Sequence, residues 1–282
     1  MRVLITGATG GIGYEFALIY AQKKYNLVLV ARNTQKLQEI KKDFENKHNI
    51  EVKIIDLDLS LESSVEKIIS IVDNQKIDIL INNAGIGEVG EFINSDISKI
   101  TSMINLNINT LTRLTHYFAN KMVSNGSGKI LNISSTASFQ PIALFAVYSA
   151  TKSYVLHFSE AINYELKDKN VKVCTLCPGP TITNFDKNAN ASHIQMLTKG
   201  AMSAKDVAQA GVKQLENNQM TVVVGFKNKV LAFISNINPF RELSVSISSN
   251  IMKWWMINKV SFTPIQNKLY FKRYLRVLKY II

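Results

Sequence analysis

The stretch RVLITGATGGIG, residues 2–13, places a short apolar run directly before a glycine-rich turn. The run predicts a buried strand, and the residues after the turn predict a helix over 12–24. Glycines let backbone N–H groups and the helix N-terminus approach a pyrophosphate closely. The spacing Gly7-x-x-x-Gly11-x-Gly13 differs from G-x-G-x-x-G, but its position between strand and helix favours a phosphate site over a simple tight turn.

Beyond this turn, short apolar runs alternate with longer amphipathic stretches as far as residue 225. This alternation is typical of βαβ units around a parallel sheet, so we predict an α/β fold. Runs such as Leu27-Val28-Leu29-Val30 are apolar throughout, as expected of strands that helices cover on both faces. The predicted strands are 2–6, 26–31, 51–57, 77–82, 129–134, 171–177 and 220–224. The predicted helices are 12–24, 34–47, 61–74, 97–124, 146–168 and 204–217.

Length and composition fit one substantial domain with an extension. The chain has 282 residues, of which 46% are hydrophobic. It starts without the long apolar stretch of a signal peptide, so a cytoplasmic location is expected. Its two cysteines, Cys174 and Cys177, lie within the predicted strand 171–177, with Cys177 directly before Pro178-Gly179, which favours buried structural thiols over a redox pair. The four histidines are scattered, and no metal site is predicted.

Charge separates the chain into two predicted parts, a domain at 1–225 and a basic extension at 226–282. The extension holds ten Lys and Arg residues against one acid, Glu242. It reads as two or three helices interrupted at Pro239 and Pro264, with no apolar run long enough to span a membrane. One stripe of its last helix is apolar, and another is basic: Phe271, Tyr274, Leu275, Leu278 and Ile282, then Lys268, Lys272, Arg276 and Lys279.

Two interpretations of this extension stay open. Residues 250–282, which include Trp254-Trp255, could make a peripheral contact with anionic lipid. Alternatively, the amphipathic helix packs on the body or on a second subunit and leaves its lysines in water. The charge alone would allow nucleic acid, but no nucleic-acid motif is present and none is expected to bind.

The residue that ends the second predicted strand bears on cofactor choice. An acid there would bind a ribose 2′-hydroxyl, whereas an arginine would accept a 2′-phosphate. The sequence has Arg32, nineteen residues beyond Gly13 and with no acid beside it. A guanidinium can fork onto phosphate oxygens, so NADP is favoured over NAD. The alternative is an arginine that simply faces solvent.

A phenol, an ammonium and a hydroxyl lie in the sequence at a spacing that would let them act on one carbonyl group. Tyr148 and Lys152 stand at i and i+4 of a predicted helix, and Ser135 lies thirteen residues upstream. A nearby cation favours the phenolate and so lowers the pKa of a tyrosine toward working pH. Taken alone, such a Tyr-x-x-x-Lys pair is more often an ordinary surface pair.

These motifs together resemble the short-chain dehydrogenase/reductase family over about residues 2–225. The resemblance rests on the glycine turn, Asn82-Asn83-Ala84-Gly85, Ser135, Tyr148-x-x-x-Lys152 and Pro178-Gly179, which occur in the family's order. It implies a single Rossmann-type domain, a doubly wound parallel sheet of about seven strands with helices on both faces, here followed by the helical C-terminal extension. It also implies a homodimer or homotetramer.

The resemblance assigns roles to matching positions. Asn107, Ser135, Tyr148 and Lys152 would be catalytic, with Asn107 holding a water. The cofactor would contact Thr6, Gly7, Thr9, Gly10, Gly11, Ile12, Gly13, Arg32, Asp58, Leu59, Asn83, Ala84, Gly85, Tyr148, Lys152, Pro178, Gly179, Thr181 and Thr183. Two assignments have neighbours that could replace them. Ser134 adjoins Ser135, whose spacing to Tyr148 fits better, and Asp56 precedes Asp58, which fits better because Leu59-Ser60 follows.

The expected activity is hydride transfer between NADP(H) and a carbonyl or secondary alcohol, with Tyr148 as general acid and base. Apolar residues between Ser135 and Tyr148 suggest a hydrophobic small-molecule substrate, although they could equally pack on a neighbouring helix: Phe139, Ile142, Leu144 and Phe145. Residues 180–200 are the expected lid. The alternatives are a non-catalytic NADP-binding sensor, against which the intact Ser135, Tyr148 and Lys152 argue, and a protein that docks on a membrane or partner through its basic extension.

Overall fold

The computed structural model describes residues 1–185, 189, 201–237, 242, 245–246, 248–250 and 252. Its strands are β1 Arg2–Thr6, β2 Asn26–Ala31, β3 Val52–Asp56, β4 Ile79–Asn82, β5 Gly128–Ile133, β6 Val171–Cys177, β7 Thr181–Ile182, β8 Met202–Ser203 and β9 Thr221–Val223. Its helices are α1 Gly11–Gln22, α2 Thr34–His48, α3 Ser64–Val72, α4 Ile97–Ile104, α5 Leu111–Ser124, α6 Ala146–Glu165, α7 Ala204–Glu216 and α8 Phe226–Ile237.

Seven of the strands form one parallel sheet in the order β3-β2-β1-β4-β5-β6-β9. The order reverses direction between β1 and β4, and a ligand crevice forms at such a switch point in open α/β sheets. The carboxyl ends of β1, β4, β5 and β6 therefore meet at one edge. The predicted doubly wound, seven-stranded α/β sheet is confirmed.

Helices cover both faces of this sheet. Along β1, Val3 and Ile5 pack in a core with Phe16 of α1, while Leu4 points to the opposite core, which contains Phe118 of α5. Successive strand residues face opposite sides, so a strand that is buried on both faces must be apolar at every position. This explains why the strand sequences show apolar runs rather than alternation.

The long helix predicted over 97–124 is instead divided. A π-helical segment, Asn105–Thr110, separates α4 from α5. The helix predicted over 146–168 also ends early, at Glu165, and a 3₁₀ turn follows before Asn170, whose φ of 53° ends the helical path. A π segment of six residues and a 3₁₀ turn of three are too short to change the hydrophobic periodicity of the longer stretch around them, so neither boundary is visible in the sequence.

The predicted extension is described in part. Helix α8 begins at Phe226, immediately after Gly225. Trp254-Trp255 and the stripes of the last predicted helix lie outside the described residues. Within the part of the chain that is described, every helix is too short or too polar to cross a bilayer. Both cysteines are buried free thiols, as predicted, and burial raises the pKa of Cys174 to about 11.

Candidate active site

The glycine turn is tied to the end of β4. The Thr6 hydroxyl oxygen accepts hydrogen bonds from the backbone N–H groups of Asn83 (3.0 Å) and Ala84 (2.9 Å). The Asn83 side-chain amide donates to the carbonyl oxygens of Thr6 (2.9 Å) and Gly7 (3.2 Å). Gly7 has a φ of 68°, which glycine adopts at little cost. Four predicted residues thus fix one another rather than point freely into the crevice.

Three glycines shape the N-terminus of α1 differently. A Cβ on Gly13 would lie 2.2 Å from the Gly7 carbonyl oxygen, so the helix can approach the turn only with glycine there. A Cβ on Gly11 would lie 2.8 Å from Cγ2 of Thr183. At Gly10, by contrast, no described atom lies within 4 Å of a Cβ, and no described side chain caps the helix. Open space in front of uncapped N–H donors fits a dinucleotide pyrophosphate.

Arg32 and Asp58 face each other beyond the ends of β2 and β3. The closest approach, from Arg32 Nη1 to Asp58 Oδ2, is 3.9 Å, and both side chains are exposed. Partial burial alone would raise the pKa of Asp58, but hydrogen bonds from the Ser60 amide and hydroxyl, with the charge of Arg32, hold it below its usual value. Asp56 instead accepts a hydrogen bond from Thr34 at the start of α2 (3.0 Å).

The π-helical segment places Asn107 against the loop after β4. Asn107 is buried, and its Oδ1 accepts from the Ile86 amide (3.0 Å) while its Nδ2 donates to the Ile86 carbonyl (2.8 Å) and to Thr151 Oγ1 (3.0 Å). A Cβ on Gly85 would lie 3.3 Å from both Asn107 Oδ1 and Lys152 Nζ. Glycine therefore lets these two side chains converge at the end of β4, and π-bulges often occur at functional sites.

Lys152 is the buried cation of this cluster. Its side chain donates to the Ile133 carbonyl oxygen at the end of β5 (2.9 Å), and its Nζ lies 5.7 Å from the centre of the Tyr148 ring. Burial disfavours the charged form and lowers the pKa of Lys152 to about 8. The i, i+4 pair on α6 is therefore part of the protein interior and not a surface pair.

The structure distinguishes the two neighbouring serines. The Ser134 hydroxyl is fully buried and donates to the Lys152 carbonyl oxygen (2.8 Å), so it anchors α6 to β5. Ser135 is only half buried and begins the 3₁₀ turn Thr136–Phe139, where its Oγ accepts from the Ala137 amide (3.1 Å). An accepting hydroxyl keeps its proton available to donate to another group. Ser135 therefore keeps a hydroxyl proton that it can donate, and its role as the catalytic hydroxyl stays a prediction.

Aromatic side chains surround Tyr148. Its ring stacks on Phe145, with centroids 4.3 Å apart, and tilts against Phe185 at 5.4 Å. A Cβ on Gly87 would lie 2.8 Å from Phe185 and 3.1 Å from Tyr148. Ile142 and Leu144 pack on the same cluster, so these members of the predicted apolar wall do lie beside Tyr148.

The Pro178-Gly179 turn lies next to the Ser135 segment. The Thr136 amide donates to the Pro178 carbonyl oxygen (2.9 Å), and Thr181 Oγ1 donates to that of Gly179 (2.9 Å). A Cβ on Gly179 would lie 2.3 Å from Asn228 of α8, so α8 packs directly on this turn. Most of the lid predicted over 180–200 lies outside the described residues.

Three residues of this site were not among those predicted from the sequence. Thr151 bridges Asn107 and the Tyr148 carbonyl oxygen, to which its hydroxyl donates at 2.8 Å. Gly87 and Phe185 pack on the Tyr148 ring. Thr151 could have been found because it lies between Tyr148 and Lys152, and Gly87 because it follows Gly85 by two. Phe185 gives no such signal.

Two curated proteins show what the chain is similar to. It is 30% identical over 261 residues to the mouse very-long-chain 3-oxoacyl-CoA reductase, covering 91% of this chain and 77% of that one. It is 30% identical over 240 residues to the rat 17-beta-hydroxysteroid dehydrogenase type 3, covering 84% and 76%. Both names describe oxidoreductases acting on a carbonyl or an alcohol, so this chain is an oxidoreductase of that kind.

The expected cytoplasmic location is wrong. Relatives from mouse, rat and human are all named for a very-long-chain acyl thioester. Each methylene of such a chain favours transfer out of water by about 0.8 kcal/mol, so a very-long-chain acyl group strongly favours an apolar environment. Similarity to three such reductases overturns an expectation that rested on a missing signal peptide.

Solved structures and a family model agree with this similarity. A short-chain dehydrogenase from Sphingobium yanoikuyae in complex with NADPH superimposes with a TM-score of 0.75 at 28% identity, covering 85% of this chain and 97% of that one. The family model described as short chain dehydrogenase matches residues 1–194. The chain has the seven-stranded sheet, Tyr148 and Lys152 converge in its interior, and it belongs to the short-chain dehydrogenase family.

Proposed function

We propose that this protein reduces a carbonyl group on a long apolar substrate with NADPH, and that Tyr148 donates the proton. One observation carries the proposal: the ammonium of Lys152 is held in the interior 5.7 Å from the Tyr148 ring centre. A cation at this position favours the phenolate and lowers the pKa of the phenol. In a weakly screened interior, the charge acts more strongly than in water.

Each catalytic side chain has a proposed role. Ser135 donates to the substrate carbonyl oxygen, since its Oγ already accepts from Ala137 and keeps its proton for another partner. Tyr148 transfers a proton to that oxygen. The charge of Lys152 favours the phenolate form of Tyr148. Asn107 positions the loop after β4, because both ends of its amide are bound to Ile86.

The cofactor proposal follows from the turn and from Arg32. A bound nicotinamide dinucleotide supplies the hydride. The pyrophosphate would lie in the open space at Gly10, in front of the uncapped N-terminus of α1. Arg32 is exposed, and its ion pair among the described residues is the 3.9 Å approach to Asp58, so it can bind a 2′-phosphate, and this favours NADPH over NADH. We also propose that the other cofactor contacts predicted from the sequence bind the dinucleotide.

The substrate proposal rests on the surroundings of Tyr148. Val89, Met103 and Phe145 pack with it in one apolar cluster, which would suit an alkyl chain better than a polar one. The chain's curated relatives include very-long-chain 3-oxoacyl-CoA reductases. We therefore propose a 3-oxoacyl thioester or a similarly apolar ketone, reduced by the unit at 1–225, with 226–282 as an extension.

The decisive experiment measures NADPH oxidation with 3-oxoacyl-CoA substrates of increasing chain length. We expect kcat/KM to rise with length, and Tyr148→Phe to lower kcat by roughly 10²-fold to 10⁴-fold while NADPH still binds. Tyr154→Phe is the matched control, because Tyr154 lies on the same helix but its hydroxyl is exposed and bonded to Thr112. Its rate should match that of the wild type.

Two results would contradict the proposal. Full activity of Tyr148→Phe would remove the proton donor from the mechanism. A kcat/KM that is highest for short polar ketones and falls with chain length would remove the apolar substrate but leave the chemistry in place.

A further inference from the structure

Helix α8 faces the protein with its polar side and solvent with its apolar side. Its body-facing residues are Asn228, Ala232 and Ser235, of which Asn228 donates to the Val224 carbonyl oxygen (2.7 Å) and Ser235 to Gln140 Oε1 (2.7 Å). A helix that served only to cover its own domain would place its large apolar residues inward. The outward orientation of the apolar side of α8 therefore indicates an apolar partner on that side.

The outer side carries a continuous stripe at helical spacing. We define the α8 stripe as the five side chains that share this face, with their exposed fractions: Phe226 82%, Val230 41%, Phe233 64%, Ile234 52% and Ile237 61%. Their spacing of i, i+4, i+7, i+8 and i+11 puts them along one line of the helix. Scattered exposed apolar residues are normal, but a contiguous stripe marks an interaction surface.

Two exposed lysines flank the stripe. At about 100° per residue, Lys227 lies on one side of the line through Phe226 and Phe233, and Lys229 lies on the other. Helix α8 contains no acid, and residues 226–282 as a whole hold a single acid, Glu242. An apolar stripe between cations is the arrangement of helices that lie in a membrane interface, with the lysines at the headgroups.

Charge also weighs against a second copy as the partner. A twofold interface through the α8 stripe would bring the same face of two molecules together. The lysines of one copy would then meet those of the other without an acid on either helix to pair them. Phosphate headgroups, in contrast, supply the missing negative charge.

The position of α8 links this surface to the candidate active site. Helix α8 contacts the 3₁₀ turn that follows Ser135, and Asn228 packs against Gly179. A bilayer at the α8 stripe would therefore lie beside the segments that carry the proposed hydroxyl and the Pro178-Gly179 turn. We propose that α8 docks this protein on an anionic lipid bilayer, with the stripe buried among acyl chains and Lys227 and Lys229 at the phosphates.

The test uses the full chain and sedimentation with vesicles of phosphatidylcholine alone or mixed with phosphatidylserine. We expect binding to the mixed vesicles. The double variant Phe226→Ser/Phe233→Ser should bind at least about tenfold more weakly, since two large apolar groups no longer leave water. Lys227→Gln/Lys229→Gln should weaken binding about fivefold for each lysine. The control is Ile93→Ser/Ile97→Ser, which removes equally exposed apolar residues elsewhere and should change nothing.

A fluorophore gives a second, direct readout. The native thiols Cys174 and Cys177 are buried, so Phe233→Cys can be labelled selectively with an environment-sensitive dye. Its emission should shift to the blue on mixed vesicles, whereas a label at Ile93→Cys should not respond. This readout does not depend on catalysis, so it fails or succeeds separately from the proposed function.

Three outcomes would overturn the proposal. Undiminished binding of Phe226→Ser/Phe233→Ser would place the membrane contact elsewhere. A concentration-dependent dimer that this variant abolishes, without vesicle binding by the wild type, would make a second copy the partner. A lowered melting temperature of the variant with unchanged vesicle binding would show that the chain itself covers the stripe.

Discussion

At the scale of single residues, the proposed chemistry depends on a lysine that the fold keeps out of water. Lys152 has one described hydrogen bond, to the Ile133 carbonyl oxygen, and its burial lowers its pKa to about 8 from an ordinary 10.5. Holding a cation there costs stability, which the protein accepts in exchange for a charge beside Tyr148. The cost is measurable because it varies with pH.

We predict that this cost disappears as pH rises from about 8 to 10.5. In that window the unfolded chain binds more protons at Lys152 than the folded protein does, so the free energy of unfolding gains up to about 1.4 kcal/mol per pH unit. Lys152→Met lacks this gain. Its stability advantage over the wild type should therefore be largest below pH 8 and shrink above it, as measured by urea unfolding at several pH values.

Comparing the wild type with Lys152→Met isolates the contribution of Lys152 to the pH dependence of stability. Burial also raises the pKa of Cys174 to about 11 and of Cys177 to about 12, so both forms lose stability as the unfolded thiols ionise. Burial is the main cause of both shifts and is common to the wild type and Lys152→Met, so most of this loss cancels in their difference; the part that remains comes from the charge interaction between Cys177 and Lys152. A difference that stays constant from pH 7 to 10 would mean that Lys152 titrates normally in the folded protein.

Arg32 should decide cofactor preference. We predict that Arg32→Gln raises the KM for NADPH roughly tenfold to a hundredfold, because a hydrogen-bonded charge on the 2′-phosphate is lost, and leaves the KM for NADH unchanged. Lys41→Gln is the control, since Lys41 lies on α2 and is paired with Glu45. An unchanged ratio of the two KM values would remove Arg32 from the cofactor site.

At the scale of elements, the turn from β1 into α1 contains one glycine that is needed for packing, Gly13, and one that is proposed to lie at the bound cofactor, Gly10. We predict that Gly13→Ala lowers the free energy of unfolding by about 1 to 3 kcal/mol or more, because its Cβ would lie 2.2 Å from the Gly7 carbonyl oxygen. Gly10→Ala should leave stability within about 0.5 kcal/mol, since its Cβ meets open space among the described residues and its φ of −171° suits any residue.

Cofactor affinity, unlike stability, should be strongly reduced by Gly10→Ala. The methyl group of Gly10→Ala would occupy the space proposed for the pyrophosphate, so NADPH should bind at least about tenfold more weakly to a protein of normal stability. Urea unfolding and NADPH fluorescence titration separate the two effects. Tight NADPH binding by Gly10→Ala would place the pyrophosphate elsewhere.

Some elements were predictable from the sequence because their signals are local. Parallel strands covered by helices are rich in apolar residues, and all seven strands of the main sheet were found within two residues. The π-helical segment around Asn107 was not, because a π turn changes hydrogen-bond spacing and not residue type. Strands β7 and β8 have two residues each, too few for any periodicity.

The residues of the candidate site likewise divide into those with a local sequence signal and those without one. Tyr148, Lys152 and Gly85 were identified from motifs, and the structure places them together. Phe185 escaped prediction because its contact with Tyr148 joins residues from different elements. The inverted face of α8 was invisible for a similar reason: a helical stripe in the sequence does not say which side the body covers.

At the scale of the whole molecule, the parallel sheet collects the site from distant parts of the chain. Residues after β1, β2, β4, β5 and β6 meet at one edge, while the two cores on either face hold the strands in register. Charge is divided as well, since residues 1–225 carry +3 of the net +12. A ligand at the shared edge would contact several elements at once and should therefore stabilise the molecule as a unit.

We predict a single thermal transition that NADPH moves upward. A ligand at a hundred times its Kd adds about 2.7 kcal/mol to the native state, which for a domain of this size corresponds to a rise of roughly 5 to 10 °C. NADH at the same concentration should give a smaller shift, and Arg32→Gln should reduce the NADPH shift toward that value. Scanning calorimetry would also reveal an alternative: if only part of the heat absorption moved with NADPH, the residues that form this edge would not unfold together.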